Sequence, residues 1–115
     1  MQVLGHFAAS NTLRPAWLGQ AKTLAFALGE QSIHVNTVSL GGVLTEEYKG
    51  LIANRAKDAG QTFEQRLADE TSNVPLRKYG SPEEVVALIE GLLSELSDHL
   101  TGVNVLCDGG FTRAH

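Results

Sequence analysis

A long, mostly apolar segment, residues 8–30, carries two polar side chains near its start, Ser10 and Arg14, at a spacing of four residues. Side chains at this spacing share a helix face, so the hydroxyl and the cation would be neighbours if one helix includes both. Pro15 follows directly, however, and proline is most comfortable in the first turn of a helix. With Pro15 in the first turn, Ser10 or Asn11 would be the N-cap. If instead the helix starts at Pro15, Ser10 and Arg14 do not share a helix face. The pattern favours an N-cap and a solvated cation beside a helix that the proline initiates.

Other residue types that often do chemistry occur without a supporting pattern. His34 has no acid or nucleophile at a useful spacing, and no two histidines form a HExxH-type arrangement. Cys107 is the one cysteine in the sequence, so it has no partner for an internal disulfide and is typical of a small buried apolar residue. The adjacent glutamates at 46–47 and 83–84 fall in first turns of predicted helices, where the helix dipole favours negative charge. We therefore predict no metal site.

Composition limits the classes of protein and partner. A chain of 115 residues with 43% apolar and 19% charged residues is typical of one globular domain. Its net charge is −4, and no basic patch suited to nucleic acid or an anionic membrane occurs. Neither a signal-peptide pattern nor an apolar run long enough to span a membrane is found. We expect a cytoplasmic protein that binds neither nucleic acid nor membrane.

Apolar residues with a helical period predict four helices, over residues 12–29, 46–57, 62–70 and 82–95. The last has the clearest start, because Ser81 is a good N-cap, Pro82 suits the first helical position and Glu84 completes a capping box. The first carries few charges, so we expect it to be covered on more than one side.

Two β-branched segments predict short strands, near residues 33–40 and 103–107. Because helices separate them in sequence, we expect them to pair in parallel within an α/β fold. We treat residues 1–115 as one domain, with a lead-in segment at 1–9 and a helical flap at 43–78.

Three segments agree, in order and spacing, with one family: GQAKTLAFALGEQSIHVNTVSLGGVLTE, VPLRKYGSPEEVVALIEGLLSE and LTGVNVLCDGG. The first resembles the catalytic helix and sixth strand of the short-chain dehydrogenase/reductase (SDR) family, with VNTVSLGG where the family has Val-Asn-x-Val-x-Pro-Gly. The others are similar to its last long helix and to its last strand with the terminal Asp-Gly-Gly. This resemblance covers residues 10–110 and implies the C-terminal half of a Rossmann-like fold, in an NAD(P)-dependent oxidoreductase that acts on a carbonyl or hydroxyl.

The resemblance also gives Ser10 and Arg14 a meaning, because the family's catalytic Tyr falls at Ser10 and its Lys at Arg14. In the family a phenol, activated by the neighbouring lysine and the cofactor, exchanges a proton with the carbonyl oxygen. A serine hydroxyl is far less acidic and its side chain is shorter by a ring, so Ser10 cannot perform this transfer unaided. Arg14 keeps the positive charge and could hold ribose hydroxyls, although a guanidinium differs in geometry from an ammonium.

A cofactor site for NAD or NADP is implied at the loop after the first strand. Thr45 matches the Thr of the family's Pro-Gly-x-x-x-Thr, which contacts the nicotinamide amide, and the backbone of Gly41, Gly42 and Val43 would line the same site. The alternative, which the pattern favours, is that Thr45 is simply the N-cap of the following helix.

The family's glycine-rich phosphate-binding turn has no counterpart in the 115 residues, where no Gly-x-x-x-Gly-x-Gly or Gly-x-Gly-x-x-Gly occurs. We therefore predict that this chain alone does not transfer hydride. Two other functions stay open: an oligomeric binding or assembly module, and one chain of a split enzyme whose N-terminal half is a separate polypeptide.

Partners are predicted from the same comparison with the family. There the strand at 33–40 has two neighbours, and this chain supplies only the later one, so one apolar strand edge would be unpaired. The helix at 12–29 would lose its cover as well. We expect a homodimer or higher homo-oligomer through this edge and helix, arranged about a two-fold axis, or association with a separate N-terminal-half chain.

Overall fold

The computed structural model describes residues 8–113, except for the side chains at positions 8 and 11. The helices of this part are α1 (Ala8–Leu28), α2 (Glu46–Asp58), α3 (Phe63–Glu70) and α4 (Pro82–Leu92), and the strands are β1 (Thr37–Leu40) and β2 (Asn104–Cys107). Short 3₁₀ turns at Gly29–Gln31 and Glu95–Ser97 follow α1 and α4. Within residues 8–113, every helix is too short or too polar to cross a membrane.

The two strands pair in parallel, with Thr37 opposite Asn104 and Leu40 opposite Cys107. The predicted α/β fold with parallel strands is therefore confirmed. This pairing places the carboxyl ends of both strands, and the loops that follow them, side by side at one edge of the sheet.

The first strand is shorter than the predicted 33–40. Ahead of Thr37, side chains replace part of the ladder: Val35 N donates to Thr101 Oγ1 at 3.0 Å, and the Asn36 amide both donates to Leu100 O at 3.2 Å and accepts from Val103 N at 3.2 Å. These side-chain bonds satisfy backbone groups that a longer strand pair would have used. β2 likewise begins at 104 instead of 103.

α1 begins earlier than predicted, at Ala8, and runs through Pro15. The expectation that Ser10 or Asn11 is the N-cap is therefore wrong, and so is the alternative that the helix starts at Pro15. Alanine is the strongest helix former, and the pair at 8 and 9 extends the helix toward the N-terminus. Of the predicted lead-in 1–9, residues 1–7 lie outside the described part, and the rest belong to α1.

The C-terminal half of α1 is fastened to the loop that precedes β2. Ala25 is buried there, and Lys22 Nζ donates to Gly102 O at 3.1 Å. Gly102 has a positive φ of 69°, and a side chain at this position would press on Lys22 and Ala25. The rest of α1 is largely exposed within the described structure, so the expected cover on more than one side is not provided by residues 8–113.

α2 packs on α3, and most of the buried residues come from α2 and from the segment that follows α3. Ile52 is 0% exposed and Ala56 and Val74 are buried. The buried Thr71 hydroxyl is satisfied by donation to Leu67 O at 2.8 Å. Thr62 caps α3 in a reciprocal capping box, so α3 begins one residue later than predicted.

α4 begins as the sequence predicts. Ser81 accepts from Glu84 N, the Glu84 carboxylate accepts from Ser81 N, and Pro82 is the first helical residue. The predicted end at 95 is wrong, because α4 stops at Leu92. The Ser94 hydroxyl donates to Gly91 O at 2.7 Å and caps the following 3₁₀ turn, and this competition with the helical hydrogen bonds ends α4.

Candidate active site

A cleft of about 570 Å³ opens beside the carboxyl end of β1, and we call it the main cleft. Its lining includes Ser10 and Arg14 of α1, Tyr48 of α2, and Tyr79. Because α1 continues through Pro15, Ser10 and Arg14 lie one turn apart on the same helix and reach the same cleft. The favoured sequence interpretation, which kept the two apart, is wrong on this point.

A second cleft of about 550 Å³, the side cleft, shares Arg14 and Tyr48 with the main cleft. The four positions predicted to contact a cofactor all line it: Gly41, Gly42, Val43 and Thr45. The structure therefore brings Arg14 and the loop after β1 to one cavity, although they are far apart in sequence.

Backbone hydrogen bonds hold this loop on two sides. Gly41 N donates to Cys107 O at 3.0 Å, which continues the β1–β2 ladder by one step. Gly80 N donates to Gly42 O at 2.9 Å, and Leu44 N donates to Gly80 O at 2.8 Å. The loop is thus fixed both to the end of β2 and to the segment that precedes α4.

Both glycines of the loop are required by close approach. A Cβ at Gly41 would lie 2.7 Å from Cα and Cβ of Asp108, and one at Gly42 would lie 2.4 Å from Cδ1 of Tyr79. Neither distance is compatible with ordinary contact, so any side chain would displace the end of β2 or the Tyr79 ring. The two glycines therefore allow the loop to lie directly against Asp108 and the Tyr79 ring.

Thr45 has the structural role that the sequence favoured. It is the N-cap of α2, and its hydroxyl accepts a hydrogen bond from Tyr48 N at 3.2 Å. Because Thr45 also lines the side cleft, the same residue fixes the start of α2 and contributes to the wall of that cavity.

Two tyrosines form an aromatic part of the main cleft. The Tyr48 and Tyr79 ring centroids are 5.6 Å apart with the planes tilted by 55°, a favourable arrangement for aromatic pairs. The Tyr79 hydroxyl donates to Glu70 O at 3.3 Å. Burial, reinforced by the hydrogen bond with Tyr48, raises the pKa of Tyr79 to about 12. Tyr79 is accordingly a neutral, well-held phenol.

The Glu70 carboxylate also lines the main cleft, where its side chain is 10% exposed. It is fully engaged by cations: Arg66 Nε lies 2.9 Å from Oε1 and Arg55 Nη1 lies 3.2 Å from the same oxygen. The hydrogen bond with Glu70, followed by that with Tyr48, raises the pKa of Arg55 above its usual value. The cluster of Glu70, Arg55 and Arg66 therefore connects α2, α3 and the two tyrosines.

Asp108, at the end of β2, is the second acid of the main cleft. Its carboxylate accepts from Gly110 N and from Thr112 N, both at 2.9 Å. A hydrogen bond from the Thr112 side chain, together with these backbone amides, lowers the pKa of Asp108 below its usual value. The ionised carboxylate therefore fastens its own turn.

Sequence reasoning missed Tyr48, Tyr79 and Glu70 as cleft residues. Their contacts join α2, α3 and the loop before α4, and no short spacing links them. The one available signal was composition. Tyr48 and Tyr79 are the only tyrosines in the sequence, and the family that the sequence resembles uses a tyrosine as its catalytic residue.

Comparison with known proteins identifies the family. A family model described as enoyl-(acyl carrier protein) reductase matches residues 1–112. The structure superimposes with a TM-score of 0.74 and 35% identity on a short chain dehydrogenase family protein from Francisella tularensis, over 87% of this chain and 41% of that one. The chain belongs to the short-chain dehydrogenase/reductase family, and its fold corresponds to part of a Rossmann fold.

Curated relatives are matched over part of their length. The NADPH-dependent reductase BacG of Bacillus subtilis is 27% identical over 105 residues, which are 91% of this chain and 40% of BacG. FabI of the same species, an enoyl-acyl-carrier-protein reductase named with NADH, is 36% identical over 90 residues, which are 78% of this chain and 31% of FabI. The chain thus spans well under half the length of the relatives it matches.

We expect Gly42→Ala to destabilise the chain by about 1–3 kcal/mol, because the added methyl group overlaps the Tyr79 ring. Gly50→Ala is the matched control: a Cβ at Gly50, inside α2, meets nothing within 4 Å, so this change should stabilise by roughly 0.5–1 kcal/mol. Urea unfolding followed by circular dichroism measures both. Equal effects of the two substitutions would contradict the close approach described here.

Phenolate absorbance in an alkaline titration should show Tyr79 ionising at about pH 12, and Tyr79→Phe should remove that step. Below the ordinary tyrosine pKa of 10 the phenol is neutral in both folded and unfolded chains. As pH rises from there toward the folded-state pKa, only the unfolded chain ionises at this residue, so the free energy of unfolding falls. The stability difference between wild type and Tyr79→Phe should therefore change over this window. A constant difference would refute the raised pKa.

Proposed function

We propose that this chain forms the carbonyl- and nicotinamide-facing part of an NAD(P)-dependent oxidoreductase site, and that the 115-residue chain alone does not catalyse hydride transfer. The observation that carries the proposal is the shared lining of the side cleft by Arg14 and the loop Gly41–Thr45. In the family the lysine position and this loop belong to one cofactor site. Their juxtaposition here supports the same use.

The cofactor class follows from the relatives. BacG is named for NADPH and FabI for NADH, so we propose a nicotinamide dinucleotide without choosing between the two. Bound in the side cleft, it would supply the hydride. The residues that would hold its nicotinamide end are Gly41, Gly42, Val43 and Thr45.

Two groups that the family uses for turnover are missing from the 115-residue sequence. The sequence has no glycine-rich turn to hold the pyrophosphate of the dinucleotide. Ser10 occupies the family's tyrosine position, and a serine hydroxyl is a much weaker acid than a phenol. Arg14 supplies a permanent positive charge and a fork of donors in place of lysine's ammonium. These differences support binding of the nicotinamide end without catalysis.

A second function, a homo-oligomeric assembly module, is supported by the unpaired surfaces. Within residues 8–113, β1 pairs with β2 on one side only. Trp17 is 70% exposed and Phe26 is 79% exposed on α1, an arrangement that favours burial against another chain. We propose that a second copy covers α1 and the free strand edge about a two-fold axis. A separate chain with the N-terminal half of the fold is the alternative partner, and co-purification of a glycine-rich polypeptide would identify it.

The 115-residue chain should show no oxidation of NADH or NADPH with a panel of small ketones, measured by nicotinamide absorbance. The double variant Ser10→Tyr/Arg14→Lys, which restores the family's pair, should also be inactive because the phosphate-binding turn is still lacking. Turnover by the wild type would contradict the proposal. Turnover by the double variant alone would refute the role given to the missing turn. Thermal-shift titration with the oxidised and reduced cofactors tests binding separately.

Sedimentation at micromolar concentration should show a dimer or larger species, and Trp17→Lys should shift it toward monomer because a charge cannot be buried at a subunit contact without a partner. Leu96→Lys is the matched control, since Leu96 is 89% exposed and belongs to the 3₁₀ turn after α4 instead of to α1 or β1. A compact wild-type monomer, or equal effects of the two variants, would count against the assembly module.

A further inference from the structure

We propose that the main cleft binds a small organic acid, with its carboxylate on Arg14 and its apolar or aromatic body against Tyr48 and Tyr79. This inference names a substrate class for the proposed oxidoreductase site and rests on that function: an oxo acid or the corresponding hydroxy acid.

The first step is the state of the Arg14 cation. Arg14 lines both clefts, and it joins none of the ion pairs formed among residues 8–113. A guanidinium presents a planar fork of donors that matches the two oxygens of a carboxylate, and such charge-assisted pairs are stronger than neutral hydrogen bonds. An uncommitted arginine at a cavity wall is therefore suited to an anionic ligand.

The second step concerns the acids of the same cleft. Glu70 is engaged by Arg55 and Arg66, and Asp108 by the backbone amides of its own turn. Neither carboxylate forms an ion pair with Arg14. Glu47 lines the side cleft but not the main one. Of the charged side chains that line the main cleft, Arg14 is thus the one for which no hydrogen bond or ion pair satisfies the charged group among residues 8–113.

The third step is the shape of the remaining contacts. Ser10 lies one turn before Arg14 and lines the main cleft with it, so its hydroxyl can donate to an oxygen on the carbon next to a bound carboxylate. The tilted rings of Tyr48 and Tyr79 add an aromatic surface to the same cleft. A cation, a hydroxyl and an aromatic surface in one cleft match an oxo acid better than a neutral ketone.

Inorganic phosphate shares the oxyanion chemistry and must be distinguished from a carboxylate. Arg14 is the one cation among the described residues that line the main cleft. Phosphate binds best where several donors converge, and it cannot use the aromatic wall. We therefore assign the site to an organic acid.

The test uses phenylpyruvate and phenylacetone, which differ in the carboxylate, titrated into the 115-residue chain without cofactor and followed by calorimetry. Phenylpyruvate should bind about tenfold more tightly, since one charge-assisted pair distinguishes the ligands. Arg14→Gln should abolish this preference. Lys57→Gln, which removes an exposed cation at the end of α2, should retain it. Circular dichroism confirms that both variants are folded.

Equal affinity of the wild type for the two ligands, an unchanged preference in Arg14→Gln, or phosphate binding as tight as that of phenylpyruvate would each overturn the inference. Because no dinucleotide is present, the result is independent of the proposed cofactor site. NADH binding without a preference for phenylpyruvate would refute the inference alone, whereas the preference without NADH binding would refute the cofactor role alone.

Discussion

The parallel pairing of β1 with β2 is the constraint on which the rest of the structure depends. It brings Gly41 next to Asp108, so that two loops from distant parts of the chain form one edge of a cavity. The Gly41–Cys107 hydrogen bond extends the ladder into the loop, and the Gly42–Gly80 bond then fastens the loop to the start of α4. Without this register, Tyr48 of α2 and Tyr79 would not line the same cleft.

Helix α1 contributes to the clefts because it does not stop at Pro15. The proline removes one helical hydrogen bond, yet the helix continues toward the N-terminus and carries Ser10 and Arg14 over the end of the sheet. The same helix is held to the described structure mainly near Ala25 and Lys22. Ser10 and Arg14 therefore lie in the N-terminal part of α1, far from the contacts that Ala25 and Lys22 make with the rest of the structure.

The sequence correctly predicted those helices and strands whose formation depends on neighbouring residues. The capping box of Ser81 and Glu84, and the β-branched strands, have their causes within a few residues. The start of α1 was mispredicted because proline is compatible with either a helix start or an interior position. The tyrosine pair was missed because its contacts depend on how α2 and the loop before α4 pack, and residue spacing holds no information about that. The sequence alone does not show why residues 41 and 42 are glycines. The structure does, because Asp108 and Tyr79 leave no space for a side chain at either position.

The small interior has a consequence for the cell. The buried apolar residues of the described structure are Ala25, Ile52, Ala56 and Val74. Little apolar surface is therefore withdrawn from water, and the margin between folded and unfolded chains is correspondingly narrow. By mass action, any molecule that covers α1 adds to that margin in proportion to the logarithm of its concentration. With α1 covered as proposed, the lifetime of the folded chain against proteolysis would depend on the abundance of the covering molecule as well as on the chain's own residues.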